Sequence, residues 1–455
     1  MSSVSFNPLA SSAPLIVYID YKSPYAYLAK DPTYAIEDEL GIEIDWRPFT
    51  LDIPSYLGSA RLDQQGRLVE SQRSERQWSV VRYSYRDVRR YGSRRGLIVR
   101  GTTKIWNSSL AAIGMLWAKE QSGTVLRRYS GLVYERFWKR ELDIEDLVVI
   151  EGMLQEAGAQ TTGFQAYAAG EGRALHDNMQ RAIFDAGIFG VPTYVAGGEV
   201  FFGREHLPRI RWILSGRAGT APDVAYEHQA TENVATSPGP AGPLSVAIDF
   251  KSPNAYLAIG PTCALAEQLG VSVDRQPFLV SPWKNHSPGS GANDRGARHR
   301  RIRADYVERE VMRYAADRGL AIRGLHRQTD SSLAAIGLLW TRRGPAPLVQ
   351  TYVQRVFERY WREELDIEDE NTLSALLAEI GAPVAGFAAF ARGEGRAELE
   401  RVQSESTKAG IFEVPTYLLD GDIYVGRQHL PLIRALLSGG TDKSTAEPHI
   451  NQRLV

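Results

Sequence analysis

The sequence predicts an α/β protein built as two tandem copies of one domain, and three observations predict it. First, blocks recur in the same order. IVYIDYKSPYAYL (16–28) returns as SVAIDFKSPNAYL (245–257), and SSLAAIGMLW (108–117) as SSLAAIGLLW (331–340). RFWKRELDIEDL (136–147) returns as RYWREELDIEDE (359–370), and the 185–216 block, which begins DAGIFGVPTYV, as the 408–439 block, which begins KAGIFEVPTYL. Second, each copy alternates short apolar runs with long amphipathic stretches in the order βαβ, helices, ββα. Third, the chain is 43% hydrophobic and 24% charged, the composition of an ordinary globular protein with ample material for two cores.

Each element has a local cause. The opening strands are Leu15 to Ile19 and Leu244 to Ile248. A Ser-Pro step follows each: proline suits the first helical turn, with Ser23 or Ser252 as the N-cap. Gly41 and Gly270 suit the left-handed residue that ends those helices. The alternating runs 42–49 and 271–278 read as second strands, parallel to the first through a right-handed crossover. Helical spacing then runs through Trp78–Gly92, Ser108–Lys119, Leu126–Arg140, Ile144–Glu156 and Phe164–Ala186, and through Arg303–Ala409 in the second copy. The intervals 55–74 and 284–297 read as loops, where the second copy has lost several residues. Strands 193–196 and 199–202 flank a Gly197-Gly198 hairpin, and a last helix starts near Glu205. This order is that of a thioredoxin-like fold with a helical insertion. The expected domains are 15–216 and 244–439, joined by an Ala/Thr/Gly/Pro-rich linker, 217–243, and followed by a flexible tail, 440–455.

Charge and cysteine content exclude several function classes. Lys plus Arg (53) against Asp plus Glu (54) leaves a net charge of -1, which gives no electrostatic case for a nucleic-acid or membrane partner. The basic run Arg298 to Arg303 reads as a solvated helix face. The single cysteine, Cys263, reads as a packed structural thiol; it rules out an internal disulfide, a CxxC centre and a cysteine-rich metal site. No stretch reaches the ~20 apolar residues of a membrane span, and Met1 to Pro14 has no signal-like pattern, so the expected location is the cytoplasm. No metal site is expected.

Two places invite chemistry. At the start of the first helix, free N–H groups and the helix dipole favour an anion. Ser23 and Ser252 stand there, where redox members of this fold carry a thiolate, so the chain is not a disulfide oxidoreductase. A serine hydroxyl at that point suits an external thiolate; it equally suits a plain N-cap, and spacing alone does not separate the two. The second place is Val191-Pro192-Thr193, with Val414-Pro415-Thr416, where a cis proline would face the helix start.

These residues carry a specific resemblance. Asp20-x-x-Ser23-Pro24-Tyr25-x-Tyr27-Leu28, Arg47-Pro48, Asp87 to Arg90, Asp143-Ile144, GIFGVPT from Gly187, and Phe202-Gly203-x-Glu205-x-Leu207 together resemble the DsbA-like branch. Within it, the chain is similar to 2-hydroxychromene-2-carboxylate isomerases and kappa-class glutathione transferases over both copies. The resemblance implies glutathione as cofactor. Ser23 and Ser252 would be catalytic, holding its sulfur, and Val191-Pro192 and Val414-Pro415 would pair with its cysteinyl backbone. Gly203 with Glu205, or Gln428 in the second copy, would meet the γ-glutamyl end. Asn107 and Asp330 occupy a polar family position, and a basic family position holds Val80 in one copy and Arg303 in the other. Tyr25, Asn254 and Arg47 would border the substrate pocket, with Tyr21, Trp46, Trp106 and Trp138 as further aromatics that core packing explains as readily. Each copy thus departs from the family ligand set at a different place.

The implied activity is glutathione-dependent isomerisation of an aromatic or conjugated carbonyl small molecule by reversible thiolate addition. A kappa-like transferase or peroxidase shares the same site, and a binding scaffold without catalysis would share the fold. Because relatives act as homodimers, the two copies are expected to form an internal pseudo-dimer in a monomeric chain.

Overall fold

The computed structural model describes residues 6–63, 68–227, 243–280 and 294–438. Compactness divides the described residues into two units. The first holds those up to Val224 and also 294–303; the second holds the remainder. Residues 294–303 therefore part company with the rest of the expected 244–439 domain. Of the expected linker, 217–227 has neither helix nor strand, while 228–242 and the expected tail lie outside the described residues.

In the first unit, β1 (Leu15–Ile19) pairs in parallel with β2 (Ile44–Pro48) through α1 (Pro24–Leu40), Val17 opposite Trp46. β5 (Thr193–Ala196) lies antiparallel on the other side of β1, and β6 (Glu199–Phe202) closes the order β2-β1-β5-β6. Between β2 and β5 come α2 (Pro54–Leu57), β3 (Ala60–Leu62), β4 (Leu68–Ser71), α3 (Glu75–Arg94), α4 (Ser109–Gln121), α5 (Gly123–Trp138), α6 (Leu147–Glu156), α7 (Phe164–Ala169) and α8 (Glu171–Asp185); α9 (Leu207–Leu214) follows β6.

The second unit repeats the plan. β7 (Leu244–Ile248), α10 (Pro253–Leu269) and β8 (Val273–Pro277) form the βαβ start. α11 (Arg295–Ala316), which crosses the unit boundary, leads to α12 (Ser332–Thr341), α13 (Ala346–Trp361), α14 (Glu370–Glu379), α15 (Phe387–Arg392) and α16 (Glu394–Lys408). β9 (Thr416–Leu419), β10 (Asp422–Val425) and α17 (Leu430–Leu437) end it, with sheet order β10-β9-β7-β8.

Two expectations change. The 55–74 interval is not plain loop, because α2 and the β3–β4 hairpin occupy much of it. The helix expected over Phe164–Ala186 breaks in two at Gly170, whose φ of -117° and ψ of -100° leave the helical region.

Repeated sequence features have repeated physical causes. Pro32 and Pro261 sit inside α1 and α10, and a proline has no N–H for the carbonyl four residues back. The stranded carbonyls find side-chain donors instead: Arg95 Nη1 donates to Leu28 O at 2.5 Å, and Arg318 Nη1 to Leu257 O. The Ala-Ala-Ile-Gly step of α4 and α12 has a similar logic. Tyr129 and Tyr352 donate to the carbonyls of Ala111 and Ala334 at 2.9 Å, and their rings lie where a side chain on Gly114 or Gly337 would be.

The two cores differ in their polar detail. In the first, Tyr21 bonds Ser130, Tyr134 donates to Asp20 O and Trp138 Nε1 donates to Tyr21 O. In the second, Phe250, Val353 and Phe357 replace Tyr21, Ser130 and Tyr134, and the buried Trp361 Nε1 has no partner among the described residues.

Candidate active site

Serine caps both first helices, as their Ser-Pro steps require. Ser23 has an extended backbone (φ -91°, ψ 114°), and its Oγ accepts from Ala26 N at 3.2 Å; Ser252 Oγ accepts from Ala255 N at 3.3 Å. The capping bond uses the oxygen lone pair and leaves the hydroxyl proton to donate. In the second unit that proton points at the proline turn, with Ser252 Oγ 3.5 Å from Val414 O. Both serines are buried, and both Val-Pro bonds, Val191-Pro192 and Val414-Pro415, are cis.

The turn after the hairpin is tied to this site. Gly203 N donates to Pro192 O at 2.9 Å, and Gly426 N to Pro415 O at 2.8 Å. Gly203 and Gly426 have φ of 109° and 97°, a region open mainly to glycine, and the side chains of Glu205 and Gln428 fold back over them. The repeats then diverge. Gln428 donates through Nε2 to Val425 O at 2.9 Å, so its amide is anchored to the strand, and it brings no charge where Glu205 brings a carboxylate.

Tyr25 joins a buried polar cluster. Its hydroxyl faces Asp87 Oδ2 at 3.5 Å, Asp87 pairs with Arg90 at 2.9 Å, and the Arg204 guanidinium stands over the Tyr25 and Tyr91 rings. Burial, aided by the Asp87 charge, pushes the Tyr25 phenol upward, so it serves as a neutral donor. Burial also raises the Asp87 carboxyl, against the pull of Arg90 and Arg204. At the equivalent of Tyr25, half-buried Asn254 brings neither ring nor phenol.

Several expected site residues are engaged elsewhere. The Arg47 guanidinium donates to the carbonyls of Asn7, Pro8 and Ala10 and pairs with Asp45, fixing the N-terminal segment rather than bordering a substrate pocket. Asn107 and Asp330 accept from the N–H of Ser109 and Ser332, and their own N–H groups donate to Glu145 and Glu368. They hold the entries to α4 and α12, which explains the recurrent LDIED motif. Arg303 does not join the second repeat's site: it belongs to the first unit, where its charge acts on Tyr56. Nor is its run a solvated face. His299 is buried, stacks on Tyr56 at 4.2 Å and bonds Phe189 O at 3.1 Å, while Arg295 pairs with Asp52 and Arg298 with Asp185. Tyr21, Trp46 and Trp138 are core, and Trp106 is half-buried beneath the Lys104 ammonium. Cys263 is half-buried, its sulfur accepting from Arg275.

Sequence reading overlooked Lys22 and Lys251, which directly precede the two serines. Both lie against a buried aspartate, Asp20 or Asp249. The signal was available, since a lysine recurs in both copies directly before the Ser-Pro step, two residues after an aspartate that can pair with it.

The family described as DSBA-like thioredoxin domain matches residues 14–214 and 244–438, both repeats almost end to end. The chain belongs to that family. A 2-hydroxychromene-2-carboxylate isomerase of Sphingobium xenophagum is 23% identical over 192 residues, spanning 42% of this chain and 94% of that protein. Among solved structures, a 2-hydroxychromene-2-carboxylate isomerase is similar at 21% identity and TM-score 0.35, over 43% of this chain and 94% of the other. A probable DsbA oxidoreductase from Streptomyces coelicolor is 18% identical with TM-score 0.36, over 46% and 94%. Each of these similarities covers a length close to one repeat of the family fold. Among the described residues no acidic, histidine or cysteine cluster could hold a metal ion, and no helix is long and apolar enough to cross a membrane.

Proposed function

We propose that the chain is a glutathione-dependent isomerase of the 2-hydroxychromene-2-carboxylate isomerase type, acting on an aromatic or conjugated carbonyl compound. One observation carries the reading: a buried serine hydroxyl caps α1 and α10, and in the second unit it lies 3.5 Å from the carbonyl before the cis proline. Glutathione, when bound, supplies a thiolate able to add reversibly to an electrophilic carbon, which frees a double bond to rotate. The residues fit such a group better in the first repeat. Ser23 offers its hydroxyl and the positive end of α1 to a sulfur anion. The backbone beside cis Pro192 offers strand-like pairing to a peptide, and Glu205 offers a carboxylate to an ammonium. Tyr25, held neutral with its O–H turned toward Asp87, brings an aromatic ring near the same helix start. The second repeat keeps the serine and the turn but has Gln428 and Asn254 in place of Glu205 and Tyr25. Losing a charge-assisted contact costs about 1.5–3 kcal/mol, roughly ten-fold or more in affinity.

The test is calorimetric titration of the full chain with glutathione. Tight binding should be lost in Ser23→Ala and largely kept in Ser252→Ala; unchanged binding in both variants removes the sulfur site. Activity toward a chloronitrobenzene or a hydroperoxide, with none toward a conjugated carbonyl, would favour a kappa-like transferase. The chain is also proposed to act as a monomer in the cytoplasm, its repeats replacing two subunits; a homodimer in sedimentation velocity overturns that.

A further inference from the structure

Identical residues are wired differently beside the two serines. In the second unit Asp249, Lys251 and Ser331 form a closed set. Lys251 Nζ lies 2.8 Å from Asp249 Oδ2 and 3.0 Å from Ser331 Oγ, and Ser331 donates to Asp249 Oδ1 at 2.6 Å. Val280 N completes the set by donating to Asp249 Oδ2. The first unit holds the same three residues, Asp20, Lys22 and Ser108, and Leu51 N donates to Asp20 Oδ2 as Val280 does to Asp249. There Lys22 Nζ stands 3.8 Å from Asp20, beyond hydrogen-bond reach, and makes no hydrogen bond to a described residue, although Lys22 is only 8% exposed. Ser108 is 1% exposed, and its Oγ is buried with no partner among the described residues. It stands at the entry to α4 without capping it. A buried ammonium held only by a long ion pair, and a buried hydroxyl with no partner among the described residues, are costly, and native structures normally supply the missing acceptor.

We infer that Lys22 and Ser108 form an open carboxylate subsite in the first repeat, one that the second repeat has closed upon itself. One ammonium and one hydroxyl present a donor to each oxygen of a planar carboxylate. A monoanion suits the site better than a dianionic phosphate, because the Asp20 carboxylate stands 3.8 Å from the ammonium and repels each added negative charge. Lys22 immediately precedes Ser23, so the subsite serves the molecule that meets the proposed thiol; in that respect it rests on the proposed function. It makes the repeats unequal, with one carboxylate-taking site per chain.

Calorimetric titration of the full-length protein with cinnamate, with neutral cinnamamide as control and glutathione as a separate probe, tests this. The expected result is one cinnamate per chain, at least ten-fold tighter than cinnamamide. Lys22→Met should weaken cinnamate ten-fold or more and Ser108→Ala several-fold, while Ser331→Ala leaves it unchanged and circular dichroism reports intact folding for all three. Two equivalent cinnamates per chain, equal affinity for the amide, or indifference to Lys22→Met overturns the inference. If Lys22→Met instead abolishes glutathione binding and cinnamate never binds, the subsite holds but takes a carboxylate of glutathione. If cinnamate behaves as expected and glutathione never binds, the subsite stands and the isomerase reading falls alone. Wild-type protein binding neither probe overturns both.

Discussion

Lowering the pH from 7 to 4 should loosen residues 295–303 from the rest of the first unit, and His299 is the reason. Its ring is buried between Tyr56 and Phe189, and Nε2–H donates to Phe189 O at 3.1 Å, which requires that nitrogen to carry a proton. Burial, reinforced by Arg303, Arg295 and Arg300, depresses the imidazole from 6.5 to about 4, against the opposing pull of the Phe189 carbonyl. A depressed histidine contributes its stability in full above 6.5, where both free and docked forms are neutral. That contribution falls as pH drops through the window and is gone below about 4, because the released ring binds the proton that the docked ring refuses. At about 1.4 kcal/mol per pH unit, the interval between 6.5 and 4 amounts to about 3 kcal/mol. Hydrogen exchange of the 295–303 amides at pH 7, 6, 5 and 4, corrected for intrinsic rates, reads the loss. His299→Phe keeps a ring for Tyr56 to stack on and should flatten the profile, which isolates His299 from His176, another buried histidine lowered mainly by desolvation. An NMR-measured His299 pKa within half a unit of 6.5, or an equally steep profile in the variant, refutes the argument.

Three further outcomes follow from the packing. Arg95→Met should cost about 1–3 kcal/mol in chemical denaturation, because it strands the Leu28 carbonyl that Pro32 already deprived of its helical donor; restored stability in Arg95→Met with Pro32→Ala would support the cause. Gly337→Ala should destabilise the second unit by about 1–3 kcal/mol, since the new methyl meets the Tyr352 hydroxyl, whereas the helical Gly152→Ala, whose methyl would meet nothing within 4 Å, should not lower the melting temperature. Trp138→Phe should cost about 1 kcal/mol more than Trp361→Phe, because only Trp138 loses a hydrogen bond, to Tyr21 O, while Trp361 discards an unpaired N–H; equal losses would refute that bookkeeping.

Much of the site was readable because its parts are local. A proline after a serine marks a helix start in any context, and both serines accept the expected capping bonds. Glycine at the helix end takes the left-handed turn at Gly41 and Gly270. What escaped reading depends on partners far away in the chain. Arg47 looked like a pocket residue but is committed to Asn7, Pro8 and Ala10. The 298–303 run looked solvated, yet its partners Tyr56, Asp185 and Phe189 all lie more than a hundred residues earlier.

By itself, then, the sequence determined the duplication, the order of strands and helices, and the serine in place of a redox cysteine, because periodicity, caps and repeats are properties of neighbouring residues. Tertiary structure alone decided which of two identical Asp–Lys–Ser sets closes and which stays open. A side chain's hydrogen bonds depend on where distant segments bring acceptors, and the two cores, one carrying Tyr21, Ser130 and Tyr134 and the other Phe250, Val353 and Phe357, surround those sets differently.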